Sequence, residues 1–135
     1  MSFLIPYLTF NGNCGEAMKF YHSCVGGELQ MQSFGESGQP VDEKNKNLIM
    51  HANIHAGGII IMASDNMPGT PDVIFGSNMS MSVDCDDPDQ QTKFFNALSE
   101  GGTITMPLQD TFWGARFGML MDKFGIAWMF NYDKK

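Results

Sequence analysis

The chain has 135 residues, of which 43% are hydrophobic and only 17% are charged. This composition excludes a disordered acidic tail, because such tails combine low hydrophobicity with high charge. Fifteen acidic residues against eight basic ones give a net charge of −7, which excludes the basic surface that a nucleic-acid-binding protein needs.

The sequence carries no signal for a membrane or for export. Its longest strongly apolar stretch, 57–63, is far shorter than the roughly 20 residues of a membrane span. The first ten residues lack a basic flank followed by a cleavable apolar core. Three cysteines, Cys14, Cys24 and Cys85, form no CxxC pair, and an odd number without metal-type spacing is typical of reduced thiols. We therefore expect a cytoplasmic protein without membrane or nucleic-acid partners.

The first half of the chain predicts one helix and four strands. Apolar residues at spacings of three and four predict a helix that begins at Cys14 and stops at Gly26-Gly27. Asn13 is the predicted N-cap, and Glu16 completes a capping box. Strands are predicted at 3–10, 28–35, 48–56 and 59–64, with a polar loop at 36–47 and a linker at 65–75.

The second half repeats this order of elements. Asp86-Asp87-Pro88 predicts the start of a second helix, which ends at Gly101-Gly102. Strands are predicted at 77–84, 103–109, 116–121 and 126–132.

A repeat of about 75 residues is too long for a solenoid and indicates a duplicated module. We predict an α+β fold in one domain, built from paired βαβββ modules at about 1–66 and about 74–135. Two mixed four-stranded sheets would each pack one face on a helix and leave the other face to line a cleft. The alternative is a single ferredoxin-like sandwich, which leaves about four of the predicted segments unplaced.

Several longer segments resemble the vicinal oxygen chelate superfamily, which includes glyoxalase I and the bleomycin-resistance proteins. The segments are PYLTFNGNCGEAMKFY, HANI, MASDNMPG, DTFWGARFG and DKFGIAWMFN, and they resemble the PhnB-like branch most. The resemblance implies paired modules, a cleft formed by a U-shaped sheet, and a homodimer. Similar sequences are also labelled 3-demethylubiquinone 3-methyltransferase. We do not predict methyl transfer, because no glycine-rich strand-to-helix turn for S-adenosylmethionine is present.

The metal enzymes of the superfamily place His, His and Glu ligands on the first, fifth and last strands. Counting along this chain puts Pro6, Asn78 and Met129 at those positions. Proline has no side-chain donor, and a thioether prefers soft metals. We therefore expect no cofactor at the usual place, although a divalent metal at an atypical site is left open.

Three polar residues alternate on the third predicted strand and share one face. His51 is a candidate catalytic base, and Asn53 and His55 are candidate ligand-binding residues. The two histidines would lie about 13 Å apart, too far to bind one ion. The alternative is that all three are hydrogen-bonded residues on a half-solvated face.

A second candidate site follows the sixth predicted strand. Phe112 and Trp113 would form an aromatic wall, and Arg116 would hold a carboxylate or phosphate. Gln109 would bind ligand, and Asp110 is a candidate catalytic residue. The alternative is a packed hairpin corner in which Asp110 pairs with Arg116. Met129 would contribute to a pliable methionine-lined wall for apolar ligands.

These observations leave two main functions open, beside a structural or interaction role. The first is a metal-free protein that binds a small molecule, as acidic bleomycin-resistance proteins capture a basic drug. The second is an enzyme of lyase, isomerase or dioxygenase type with an atypical site. It would use His51, Asn53 or Asp110 as base and Arg116 as anion holder.

Overall fold

The computed structural model describes residues 2–134. The chain forms two compact units, and the boundary between them falls between Ile74 and Phe75. The outer module limits predicted at 1 and 135 lie outside the described residues. Each unit contains one helix and one mixed four-stranded sheet in the order βαβββ, which confirms the predicted α+β architecture.

The sheet of the first unit has its first and last strands side by side. Its strand order is β1-β4-β3-β2, with β1 parallel to β4 and the other neighbours antiparallel. The elements are β1 (Tyr7–Phe10), α1 (Cys14–Val25), β2 (Glu28–Ser33), β3 (Ile49–Ala56) and β4 (Ile59–Asp65), with a 3-10 turn at Glu43–Asn45.

The second unit repeats this arrangement. Its strand order is β5-β8-β7-β6, with β5 parallel to β8. The elements are β5 (Met81–Cys85), α2 (Pro88–Ser99), β6 (Thr103–Asp110), β7 (Ala115–Met121) and β8 (Ala127–Asp133).

In each unit the core lies between the helix and one face of the sheet. Met18 and Tyr21 of α1 are fully buried, as is Ile54 of β3. In the second unit, Phe95 of α2 meets Phe130 of β8 edge to face, with ring centroids 5.9 Å apart. Strand side chains alternate between faces, so the opposite face of each sheet points away from its helix.

A glycine after each helix makes the same close approach in both units. A Cβ on Gly27 would lie 2.2 Å from the carbonyl oxygen of His55, and a Cβ on Gly102 would lie 2.2 Å from that of Met121. Both glycines let the chain pass directly over the end of the third strand of the unit. His55 and Met121 therefore occupy equivalent positions.

Two strands start four residues later than the sequence predicts. β1 begins at Tyr7 instead of residue 3, because Pro6 has no N–H to donate to a ladder. The Pro6 carbonyl does accept from the amide of Met62, at 3.1 Å. β5 begins at Met81 instead of residue 77, so Asn78 precedes the strand.

The prediction of a capping box at the start of α1 was wrong. The Asn13 side chain makes no capping hydrogen bond. Instead Oδ1 of Asp65, at the end of β4, accepts from the amides of Gly12 at 3.0 Å and Cys14 at 2.8 Å. In the second unit the predicted cap is present, because the Asp87 side chain accepts from the amide of Asp89 at 3.3 Å.

Both helices are 12 residues long, and within 2–134 neither has the length and apolar character needed to cross a membrane.

Candidate ligand-binding faces

The first open face is the side of the β1–β4 sheet that points away from α1. His51, Asn53 and His55 all lie on it, as predicted from their alternation. The register continues the row from Asn53 across Met62 to Tyr7. The face also carries polar residues of the edge strand β2: Glu28, Gln30 and Gln32.

Tyr7 and His51 form a hydrogen-bonded pair on this face. The phenol oxygen lies 3.0 Å from Nδ1 of His51, and the two ring centroids are 5.7 Å apart. The residues come from β1 and β3, which flank β4, so the side chains meet above an intervening strand. Sequence reasoning missed Tyr7, because nothing local signals a contact across 44 positions.

The second open face is the side of the β5–β8 sheet that points away from α2, and it is largely apolar. One row crosses the sheet through Met106, Met119 and Met129 to Ser82. The neighbouring row runs through Gln109, Phe117, Asn131 and Asp84. The half-buried methionine and phenylalanine side chains give this face a soft, polarizable surface.

A polar cluster lies at the β5 end of the second open face. The amide nitrogen of Asn131 donates to Asp84 at 3.0 Å and to Asp133 at 3.1 Å. Both carboxylates belong to exposed residues. This end of the face is therefore negatively charged and solvated.

The turn between β6 and β7 adds two exposed aromatic rings. Phe112 is 96% exposed and Trp113 is 58% exposed. Their rings meet edge to face with centroids 5.0 Å apart, and Trp113 lies 6.2 Å from Phe117 on the open face. Trp113 thus extends the apolar surface from Phe117 beyond the sheet.

Arg116 lies on the opposite side of this sheet. Its Nη1 donates to the Pro88 carbonyl at 3.2 Å, to Gln91 Oε1 at 3.1 Å and to Thr92 Oγ1 at 2.9 Å. All three partners belong to the first turns of α2. The guanidinium therefore joins helix to sheet and does not share a face with Gln109, Phe117 or Met129.

Asp110 is separated from both open faces. Its carboxylate pairs with Lys134 at 2.8 Å, in place of the ion pair with Arg116 that the hairpin-corner alternative predicted. Both partners are about half exposed or more, so the pair contributes little to stability. The predicted site residues therefore fall into three groups: His51, Asn53 and His55; Gln109, Phe112, Trp113 and Met129; and Asp110 with Arg116.

The buried thiols are not candidates for nucleophilic chemistry. Cys14, Cys24 and Cys85 are all free and buried. Burial, reinforced by the nearby Asp65 charge, raises the pKa of Cys14 to about 12. Burial is also the main cause that raises the pKa of Cys85. Because the thiolate is the reactive form, both groups are inert near neutral pH.

The residues at the superfamily's metal positions do not fit a divalent Lewis-acid ion. Pro6 offers no side-chain donor, and its carbonyl is already paired with Met62. Met129 presents a thioether, which is a poor ligand for hard cations. Within 2–134, no three His, Cys, Asp or Glu residues are grouped so that they could hold a metal ion.

Comparison with known proteins identifies the family. The family model described as 3-demethylubiquinone-9 3-methyltransferase matches residues 2–130. The chain belongs to this family. Its relatives include protein YjdN of Escherichia coli K12, which is 35% identical over 98% of this chain and 96% of that protein.

Solved structures of the family share the fold closely. Protein PA1353 from Pseudomonas aeruginosa is 45% identical over the full length of both chains, with a TM-score of 0.88. A PhnB protein from Bacillus cereus is 25% identical over 97% of this chain and 99% of that chain, with a TM-score of 0.76. These likenesses confirm the resemblance to the PhnB-like branch.

More distant solved structures share the fold alone. A glyoxalase/bleomycin resistance protein/dioxygenase from Nocardioides is 18% identical and has a TM-score of 0.57. The match covers all of this chain and 86% of the Nocardioides chain. This likeness confirms the fold that the sequence resemblance implied.

Proposed function

We propose that the protein binds a small, flat, cationic organic molecule on the second open face without transforming it. The observation that carries this proposal is the row Gln109–Phe117–Asn131–Asp84 beside the row of methionines. An aromatic ligand would stack on Phe117 and Trp113, and Met119 and Met129 would adapt to its outline. Gln109 would fix its orientation through the side-chain amide.

Charge supports a cationic rather than an anionic ligand. The polar end of this face carries Asp84 and Asp133, and the whole chain has a net charge of −7. Arg116, the cation that the sequence suggested as an anion holder, is engaged with α2 on the other side of the sheet. A positive group near Asp84 would gain attraction without displacing any protein cation.

Methyl transfer, which the family's description names, is not part of this proposal. In doubly wound folds an anionic cofactor group binds the free amides at the N-terminus of a helix. Here carboxylates of the protein already accept from those amides, Asp65 at α1 and Asp87 at α2. A second anion at either helix would meet like charge.

A matched pair of dyes tests the proposed ligand class. Proflavine is a planar cation, and acridine-9-carboxylate has a similar ring system with the opposite charge. We expect proflavine to raise the melting temperature and quench Trp113 fluorescence, and the carboxylate to do neither. Quenching reports on Trp113 and not on Trp128, because Trp128 is buried, at 2% exposure, and out of reach of the dye.

Variants locate the binding surface. Trp113→Ala and Met119→Lys are expected to weaken proflavine binding at least about tenfold by removing stacking and adding repulsion. Met79→Ala is the control, because Met79 is 79% exposed before β5 and belongs to neither row. Equal loss in all three variants, or unchanged affinity in the first two, would contradict the proposal.

An enzyme of lyase, isomerase or dioxygenase type is the second candidate. The Tyr7–His51 hydrogen bond favours it, because a phenol and an imidazole in contact can pass a proton. Metal analysis separates the two candidates. Stoichiometric divalent metal that survives dialysis would favour the enzyme, with ligands outside the superfamily's usual positions.

The homodimer and the cytoplasmic location that we expect from the sequence are part of the same proposal. Sedimentation velocity at micromolar concentration tests the dimer. A single species at the mass of one 15.0 kDa chain would remove it from the proposal.

A further inference from the structure

The Tyr7–His51 pair lies in the first unit and is not used by the binding mode proposed above. Tyr7 is 50% exposed, and His51 is half-buried on the same open face. β1 and β3 lie on either side of β4, so their backbones are about 10 Å apart. Two large side chains therefore bridge an entire strand to make one 3.0 Å contact.

We propose that Tyr7 holds His51 as the tautomer that carries its proton on Nε2, which makes His51 a hydrogen-bond donor for a carbonyl or carboxylate oxygen. A neutral imidazole has one N–H and one acceptor nitrogen, and a phenol can donate or accept. Because a phenol is a stronger donor than acceptor and the imidazole lone pair is a strong acceptor, the Tyr7 hydroxyl donates to Nδ1 in this assignment. When the phenol donates to Nδ1, that nitrogen is the acceptor. The single N–H of the ring is then on Nε2.

The other ring nitrogen is available for a ligand. Within the part of the chain that the structure describes, no protein group is hydrogen-bonded to Nε2 of His51. Asn53 follows two residues along β3 on the same face, about 7 Å away. Its side-chain amide provides a second N–H donor next to the first. The pair of donors suits one oxygen-bearing planar group, such as a carboxylate.

This assignment changes the chemistry open to His51. A general base needs a free lone pair toward the substrate, whereas the Nε2–H tautomer presents a proton there. A neutral histidine in this tautomer donates its Nε2–H to an oxygen atom of a ligand, and Tyr7 holds the ring in position to do so. The inference does not rest on the proposed function, since the donor subsite lies on the first open face and the tautomer exists with or without a bound molecule.

Nitrogen-15 NMR of the full-length protein measures the tautomer directly. Long-range proton–nitrogen spectra are recorded at rising pH until the ring shifts stop changing, where the imidazole is neutral. We expect His51 to show the Nε2–H pattern, and Tyr7→Phe to move its nitrogen shifts toward a tautomer mixture. His55 is the internal control, because it lies on the same strand face and, among residues 2–134, no phenol is hydrogen-bonded to it. The Nδ1–H pattern at His51 would overturn the assignment and favour a base.

Benzoate is the probe for the donor subsite. It is expected to shift the His51 Nε2 resonance, whereas benzyl alcohol at equal concentration does so much less. His51→Phe should weaken benzoate binding about tenfold or more, because it loses a charge-assisted hydrogen bond. His51→Gln keeps an N–H donor at the position of Nε2 and should lose less than about threefold.

The outcomes separate this inference from the proposed function. No benzoate effect at His51, or equal loss in His51→Gln and His51→Phe, would overturn the donor subsite and leave proflavine binding untouched. Loss of proflavine binding in the Trp113 and Met119 variants has no bearing on the tautomer. Each idea can therefore fail alone.

Discussion

The carboxylate of Asp65 joins three segments of the first unit. Oδ1 accepts from Gly12 and Cys14, and Oδ2 accepts from the amide of Ile49 at 2.8 Å. Asp65 is only 3% exposed, so its desolvation is offset by these three bonds. The same charge lies beside Cys14 and disfavours its thiolate.

The Cys14 thiol gives a pH dependence with a definite sign. Its pKa is about 12 in the folded protein against an ordinary value of 9.0. Between these two values the thiol is deprotonated in the unfolded chain and still protonated in the folded one. The free energy of unfolding is therefore unaffected by this group below pH 9 and decreases as the pH rises above 9. The slope from this group is at most about 1.4 kcal/mol per pH unit.

Urea unfolding of the wild type and Cys14→Ala at pH 8 and pH 10.5 measures this effect. We expect the wild type to lose more stability over that interval than the variant, whatever their difference at pH 8. Equal losses would mean that the thiol titrates alike in the folded and unfolded chains. Tyrosine and lysine titration is common to both proteins and cancels in the comparison.

Residues that act through a local pattern could be predicted from the sequence, and residues that act across the fold could not. The alternation of His51, Asn53 and His55 places them on one face with no further information. Asp65 reaches an amide 51 positions away, and Tyr7 contacts a ring 44 positions away. Such contacts depend on which strands become neighbours.

The start of helix α2 depends on Arg116 and Gln91. Gln91 is fully buried, and its amide nitrogen donates to the carbonyls of Arg116 at 2.8 Å and Phe130 at 3.2 Å. Removing the guanidinium leaves the Pro88 carbonyl and Gln91 Oε1 without this donor. Arg116→Ala should therefore lower stability by about 1–3 kcal/mol.

The same variant decides between the two roles considered for Arg116. In thermal-shift assays we expect Arg116→Ala to melt earlier but to keep the wild-type response to benzoate and to proflavine. Lys134→Ala is the control, because it removes a cation from an exposed pair. Selective loss of the benzoate response in Arg116→Ala would restore its role as anion holder.

The helix-to-strand connection of each unit has a position that has no space for any side chain. A methyl group on Gly27 or Gly102 would overlap backbone atoms at 2.2 Å, and Gly27 also has a φ of +80°. Gly27→Ala and Gly102→Ala should each cost about 3 kcal/mol or more, or prevent folding. Gly58→Ala is the control, because nothing lies within 4 Å of its added carbon. Denaturant midpoints near wild type for either Gly27→Ala or Gly102→Ala would contradict this expectation.

Periodicity predicted the number, order and type of the elements, but it did not fix every strand face. Both faces of β7 carry apolar residues, Phe117 and Met119 on one and Gly118 and Leu120 on the other. Alternation alone therefore did not show that Arg116 points to the helix. β6 adds register shifts around Met106, next to Pro107, which has no N–H for the ladder.

At the scale of the molecule, the chain has two sheets with the same topology and different open faces. The equivalence of His55 and Met121 also matches His51 with Phe117, and Asn53 with Met119, along β3 and β7. The first open face is polar and carries donors, whereas the second is apolar with an acidic end. The family resemblance predicted the shared topology, but the contrast between the faces follows only from the register.

The chain's net charge of −7 makes a prediction about salt. A cationic ligand is attracted by the whole molecule and by Asp84 in particular, and ions screen this attraction over about 10 Å at 0.1 M. Proflavine affinity should fall roughly three- to tenfold between 0.05 and 0.5 M NaCl. Asp84→Asn should weaken binding at low salt and flatten the dependence, whereas Asp42→Asn, an exposed change in the first unit, should do neither. Because stacking on Phe117 and Trp113 is insensitive to salt, an affinity that does not change with NaCl would show that the face selects for shape and not for charge.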